Sequence, residues 1–270
     1  MKRLSLMGLL LIATGVVAHE FWLEPTRFRY KSGETMTVDF RVGENFEGEY
    51  WDLTKHRAVS VLMHWGNTVK DLTAKVQPSK GKNLSYTFDR EGTHLLVMQS
   101  DDAYIELEAQ KFNAYLEEDG LTNVAVERKR TGRESEAGRE YFTRYAKLLV
   151  QSGNRTDNTF RKEVGLPMEI LIDQNPYTTK PGDYLTAQIM FEHKPLAGAL
   201  VKVWGRYKHT TFLQNIYTEE DGTVRFPVGA PGVWMISAVH MVASEREGAD
   251  WHSHWASMVF AIDSPTASDK

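Results

Sequence analysis

The sequence predicts a mainly β protein: two antiparallel β-sandwich modules, the C-terminal one immunoglobulin-like, with a helical insertion between them. Three observations carry this. Short apolar alternations divided by Gly, Pro, Asn and Asp turns fill residues 19–108 and return over 165–263. Between them, residues 109–151 place apolar side chains at helical spacing. There is no cysteine, so packing rather than disulfides must hold the chain, and 7 Trp, 11 Tyr and 12 Phe supply that packing.

In order, Lys2 and Arg3 begin a basic start, Leu4 to Val17 is apolar, and Val16-x-Ala18 offers small residues for cleavage. Residues 1–18 therefore read as a signal peptide, which makes His19 the first mature residue. In the first module, Thr35 to Val42 alternates so that Met36, Val38, Phe40 and Val42 share a strand face. Gly43 to Gly48 reads as a loop. Val59–Trp65 and Val69–Val76 read as a hairpin about Gly66-Asn67, with further strands at Leu84–Phe88 and His94–Gln99. The helical segment carries Phe112, Tyr115 and Leu116, ending at Asp119-Gly120. A second helical stripe is predicted over Ser135–Val150 from Tyr141, Phe142, Tyr145, Leu148 and Leu149. Residues 152–164 form a polar linker. Seven strands then follow: Met168–Ile172, Tyr184–Phe191, Ala199–Tyr207, Phe212–Thr218, Thr223–Val228, Val233–Ala243 and Trp251–Ile262. Residues 264–270 read as a disordered tail.

The formal charge is -4, and removing Lys2 and Arg3 makes it about -6, which argues against a nucleic-acid partner. No later segment has the ~20 consecutive apolar residues of a membrane helix, so the mature chain is expected to carry no membrane span. There is no nucleophile elbow, H-E-x-x-H, P-loop or strand-borne G-x-G-x-x-G, and no catalytic residue is assigned.

The chemistry that stands out is histidine. A mature N-terminal His19 offers an amine beside an imidazole, a pair able to chelate a metal ion. In the last two strands, alternation puts His240 on the face of Trp234, Ile236 and Ala238, and His252 and His254 on the face of Ala256, Met258 and Phe260. A hairpin symmetric about Glu247 sets His240 opposite His254. His19, His240, His252 and His254 are thus the candidate metal ligands. The remaining histidines are read as structural, and Glu20 and Glu24 as surface residues.

The mature start His-Glu-Phe-Trp-Leu-Glu-Pro (19–25), with Gly33-Glu34, Val42-Gly43-Glu44 and Lys111-Phe112, resembles the DUF4198 family. The resemblance continues through Gly165-Leu166-Pro167-Met168-Glu169, Asn175-Pro176-Tyr177, Pro195-Leu196-Ala197-Gly198, Gly232-Val233-Trp234 and Val239-His240-Met241, so it covers nearly all of the mature chain. These are exported bacterial proteins related to NikM/NikK-type subunits associated with nickel and cobalt transport. The resemblance implies an exported protein, periplasmic in a Gram-negative source, that handles nickel, cobalt or copper, with a membrane transporter component as a possible partner. His19 and His240 match positions of the family pattern, whereas His252 and His254 do not. A divalent transition metal ion is the expected cofactor, with no organic cofactor.

Two other readings stand beside this one. A copper oxidase of the N-terminal-His type needs His19 and a second His on one copper. A non-catalytic envelope or carbohydrate-binding module would use loop aromatics such as Tyr50, Trp51 and Trp65.

Overall fold

A computed structural model describes residues 19–264. The signal peptide expected at 1–18 and, apart from Ser264, the expected tail lie outside the described residues. In chain order the strands are β1 (Glu20–Pro25), β2 (Arg29–Tyr30), β3 (Thr35–Glu44), β4 (Glu47–Tyr50), β5 (Ala58–Trp65), β6 (Thr68–Asp71), β7 (Leu84–Thr87), β8 (Gly92–Ser100) and β9 (Ala103–Leu107). Helices α1 (Ala109–Glu118) and α2 (Thr122–Arg130) follow. The chain continues through β10 (Gly138–Ser152), β11 (Met168–Ile172), β12 (Tyr184–Phe191), β13 (Lys194–Pro195) and β14 (Leu200–Tyr207). It ends with β15 (Thr210–Tyr217), β16 (Thr223–Pro227), β17 (Gly232–Ala243) and β18 (Trp251–Ile262). The protein is mainly β, and each of the seven strands expected after residue 165 is present.

The strands stack in three layers. A ten-stranded sheet in the order β15-β14-β17-β18-β10-β8-β5-β6, with β2 and β9 also on β10, forms the middle. One face is covered by β1, β3, β4 and β7, burying Trp22, Met36, Phe40 and Leu84 against Leu96, Leu148, Trp204 and Met235. The other is covered by β11, β12, β13 and β16, burying Ile170, Leu185, Ile189 and Phe226 against Val203, Trp234, Ile236 and Phe260. This second pair of layers is the immunoglobulin-like sandwich. Helices α1 and α2 close a third, smaller core against Val239, Met241 and Trp251. Asp119 caps α1 and Gly120, at φ 65°, takes the left-handed turn that ends it, as the Asp-Gly pair predicts.

The helix expected over Ser135–Val150 is instead the long strand β10. It lies at the centre of the middle sheet, antiparallel to β8 and parallel to β18, with Glu140 opposite Trp251 and Leu148 opposite Val259. From Tyr145 to Ser152 every residue is buried, so the alternation that marks a half-buried strand is lost. A continuous apolar run of this kind carries no strand period, and its Tyr, Phe, Leu and Leu mimic a helical stripe. Gly43 to Gly48 is likewise a hairpin rather than an open loop: β3 and β4 pair down to Glu44↔Glu47 across Asn45-Phe46, both at positive φ.

Glu20 and Glu24 are not the free surface carboxylates expected from sequence. Strand β1 reaches β14 through two of its side chains: Glu20 sits 3.6 Å from Lys202 Nζ and Glu24 accepts a 2.9 Å bond from Arg206 Nη2. Lys202 also donates to Asp119 at 2.6 Å, tying α1 into the same contact. Burial outweighs Lys202 and raises Glu20 to about 7 and Asp119 to about 6. On the opposite face of the middle sheet, Lys147 donates to the Glu169 carboxylate at 2.5 Å in full burial. Glu169 in turn accepts the backbone N–H groups of Val164, Gly165 and Leu166, which fixes the Gly-Leu-Pro turn ahead of β11.

Candidate functional site at the β17–β18 hairpin

The β17–β18 ladder has the register expected from the loop symmetry. Ala243 pairs with Trp251, Met241 with Ser253, and His240 stands directly opposite His254. His252 lies two residues from His254 on the same face, and their rings stack at 4.3 Å. The structure therefore brings His240, His252 and His254 together at the loop end of the immunoglobulin-like sandwich. It does not bring in His19. That residue leads into β1, in the layer packed against the other face of the middle sheet.

Neighbouring strands supply the rest of the site. Because β10 runs parallel to β18, it sets Tyr141 beside His252 and Thr143 beside His254. Thr143 Oγ1 donates to Asp102 Oδ1 at 2.6 Å and lies 2.8 Å from His252 Nε2. With its proton spent on Asp102, the hydroxyl accepts from His252 Nε2–H, leaving Nδ1 as the lone-pair nitrogen of the neutral ring. Arg246 from the hairpin loop pairs with Asp102 Oδ2 at 2.5 Å and covers the Tyr141 ring at 4.0 Å. Tyr145 hydroxyl and His254 Nδ1 share a 3.1 Å hydrogen bond. From β12, Phe191 turns its ring edge-on against both His240 (4.6 Å) and His254 (5.1 Å).

Burial lowers all three imidazoles. His254 falls to about 4, first through desolvation and then through its neighbours His252 and His240. His252 is lowered by burial, opposed by Asp102, and His240 by burial, opposed by Glu192. The three rings are therefore neutral near pH 7 and hold lone pairs rather than charge. The rings as placed do not converge: among the described residues no group of three or more His, Asp or Glu is positioned to hold a metal ion.

Asp102, Thr143, Tyr145 and Phe191 escape sequence reasoning. Thr143 and Tyr145 join the site through the parallel β10–β18 pairing, Asp102 from the β8–β9 turn through the antiparallel β9–β10 pairing, and Phe191 through layer stacking. Of the aromatics considered for an interaction surface, Trp51 is core, Trp65 half-buried and Tyr50 exposed. Among the described residues no helix is long and apolar enough to cross a membrane.

Comparison with solved structures returns distant matches. A tetra-tandem repeat from the extending region of a large adhesion protein is 9% identical, with 92% of this chain and 50% of that one covered and a TM-score of 0.23. Escherichia coli alpha-2-macroglobulin is 9% identical over 92% of this chain and 20% of that one, at a TM-score of 0.25. The FN1–FN3 domains of chicken CNTN1 are 7% identical over 91% and 68%, at 0.20. The chain thus spans half the length of the first and a fifth of the second. No protein of curated function matches it. The model of one family, described as a domain of unknown function, matches residues 16–242, and the chain belongs to that family, DUF4198.

Proposed function

We propose that the chain is an exported, extracytoplasmic binding protein that takes up a divalent transition metal ion as cargo at the β17–β18 hairpin. The observation that carries this reading is the set of three neutral imidazoles on one face, two of them stacked at 4.3 Å. Neutral imidazole nitrogens suit nickel, cobalt and copper. His252 Nδ1 and His254 Nε2 are the primary donors, and His240 joins when the Phe191 ring turns out from between the strands. A low coordination number with a gating aromatic fits delivery to a partner better than permanent retention. A transporter component of the envelope is that partner.

The test is calorimetric titration of the processed protein with Cu(II), Ni(II) and Co(II), beside His252→Ala, His254→Ala and a form with one extra residue before His19. One-to-one binding that falls at least tenfold in both hairpin variants, and is indifferent to the extension, supports the reading. Binding lost only on extension moves the site to His19. Absence of binding removes metal cargo altogether and leaves an interaction module.

A further inference from the structure

The heptad at residues 19–25 is the most specific stretch of the sequence, and ion pairing to β14 accounts for only part of it. Its Trp22, Glu24 and Pro25 also line a cavity of about 420 Å³ at the seam between the β1–β3 layer and the middle sheet. Phe28, Asp39, Phe46 and Arg206 are among the other wall residues, with Val233 and Val259 of the middle sheet beneath them. That volume lies within the range of small-molecule sites, about 300–1,000 Å³.

The charges at this cavity cancel. Glu24 is shared between Arg206 and Arg41, at 2.9 and 3.4 Å. Asp39 uses Oδ1 to accept the Lys82 backbone N–H, which leaves Oδ2 as an acceptor. Arg206 spends Nη1 on the Phe46 carbonyl and Nη2 on Glu24, which leaves Nε as a donor. Trp22 is fully buried, and its indole N–H has no protein acceptor. Phe46 holds a left-handed backbone at φ 59°, costly for a non-glycine residue, and is kept there by Trp22 at 6.1 Å and by Arg206 over its ring at 4.8 Å. The two-residue β3–β4 turn requires that backbone, and it sets the Phe46 ring at this cavity.

We infer that the seam cavity binds a neutral, hydroxyl-rich ligand of mono- to disaccharide size. Arg206 is the cation of the wall, and with Arg41, which pairs with Glu24 without lining the cavity, it balances Glu24 and Asp39, so there is no net attraction to a charged ligand. A free carboxylate oxygen beside a free guanidinium N–H suits neighbouring hydroxyls, one donating and one accepting. Phe28, half-buried in the wall, offers an apolar face to the C–H side of a pyranose ring. The inference does not rest on the histidine site.

The experiment is an NMR titration of the full mature chain with cellobiose, maltose and chitobiose, each taken to on the order of 10 mM, the range of a weak single site. The indole N–H resonance of Trp22, assigned with Trp22→Phe, is the reporter. At least one disaccharide is expected to move that resonance saturably, with glucuronate and glucosamine no better. Asp39→Asn should weaken binding about tenfold, the loss of one hydrogen bond to a charged group. Phe28→Leu serves the same purpose if Asp39→Asn does not fold. Three titrations without a shift of Trp22, or binding that a folded variant leaves unchanged, overturns the inference.

Discussion

His240 and His254 are cross-strand partners in the β17–β18 ladder, and the Phe191 ring of the facing sheet packs edge-on against both. The pairing places two imidazoles side by side, with one phenyl ring against both. Burial, with the neighbouring His252 and His240, lowers His254 to about 4.

An acid limb of stability follows from this burial. In the unfolded chain a histidine binds its proton near pH 6.5, whereas folded His254 stays neutral down to about 4. Its contribution is complete above pH 6.5 and is lost as pH falls from 6.5 to 4, because the unfolded state then binds more protons. His64, buried and also lowered to about 4 by desolvation, adds a second limb in the same window. Urea unfolding at pH 7 and pH 4.5 should show His254→Gln losing less stability on acidification than the wild type, by up to about 3 kcal/mol. Equal losses would mean that the folded imidazole titrates normally.

The opposite slope comes from Glu140, whose carboxyl is raised to about 8 by burial, against the opposing hydrogen bond from the Tyr115 hydroxyl. A raised carboxylate contributes fully below its unfolded value, and that contribution fades as pH rises from about 4.5 through 8. Glu140→Gln keeps an acceptor for Tyr115 without the charge. It should gain on the wild type between pH 5 and 8 by about 3 kcal/mol, measured as the difference in urea midpoints multiplied by the common slope.

Among the described residues Lys202 is the cation within ion-pair reach of both Glu20 and Asp119. Lys202→Met should destabilise by about 3–5 kcal/mol at pH 8, where both carboxyls face ionisation without a partner. At pH 5 the cost should shrink, because Glu20 and Asp119, already raised to about 7 and 6, are then protonated. A cost equal at the two pH values would assign the effect to lost packing of the lysine stem.

Gly138 begins β10 directly beneath α1, and a Cβ there would stand 2.1 Å from Phe112 Cγ. Gly138→Ala should cost at least about 1–3 kcal/mol through overpacking. The damage should appear first as faster amide exchange in α1 and α2, with β17 and β18 unchanged.

Local chemistry was legible in the sequence wherever an element has one wet face or a turn that fixes its pairing. The seven strands after residue 165 announce themselves by alternation and by their Pro-Gly and Asp-Gly separators. The register of His240 and His254 follows from the length of the Ser244–Asp250 loop alone, because strand pairing across a hairpin leaves little freedom once the loop is set. What only the tertiary structure decided is which surfaces meet. Strand β10 is buried on both faces and so carries no period to read. Its parallel pairing with β18, more than a hundred residues away, is what brings Thr143 and Tyr145 to the histidines. Glu20 reads as a surface carboxylate until β14 is laid beneath it with Lys202 in place. His19 and His240, both expected as ligands from the sequence, are divided by a sheet, because β1 packs on one face of it and Phe191 covers the other. Sequence fixes side-chain direction one strand at a time, whereas layer stacking is settled by the summed burial of distant faces.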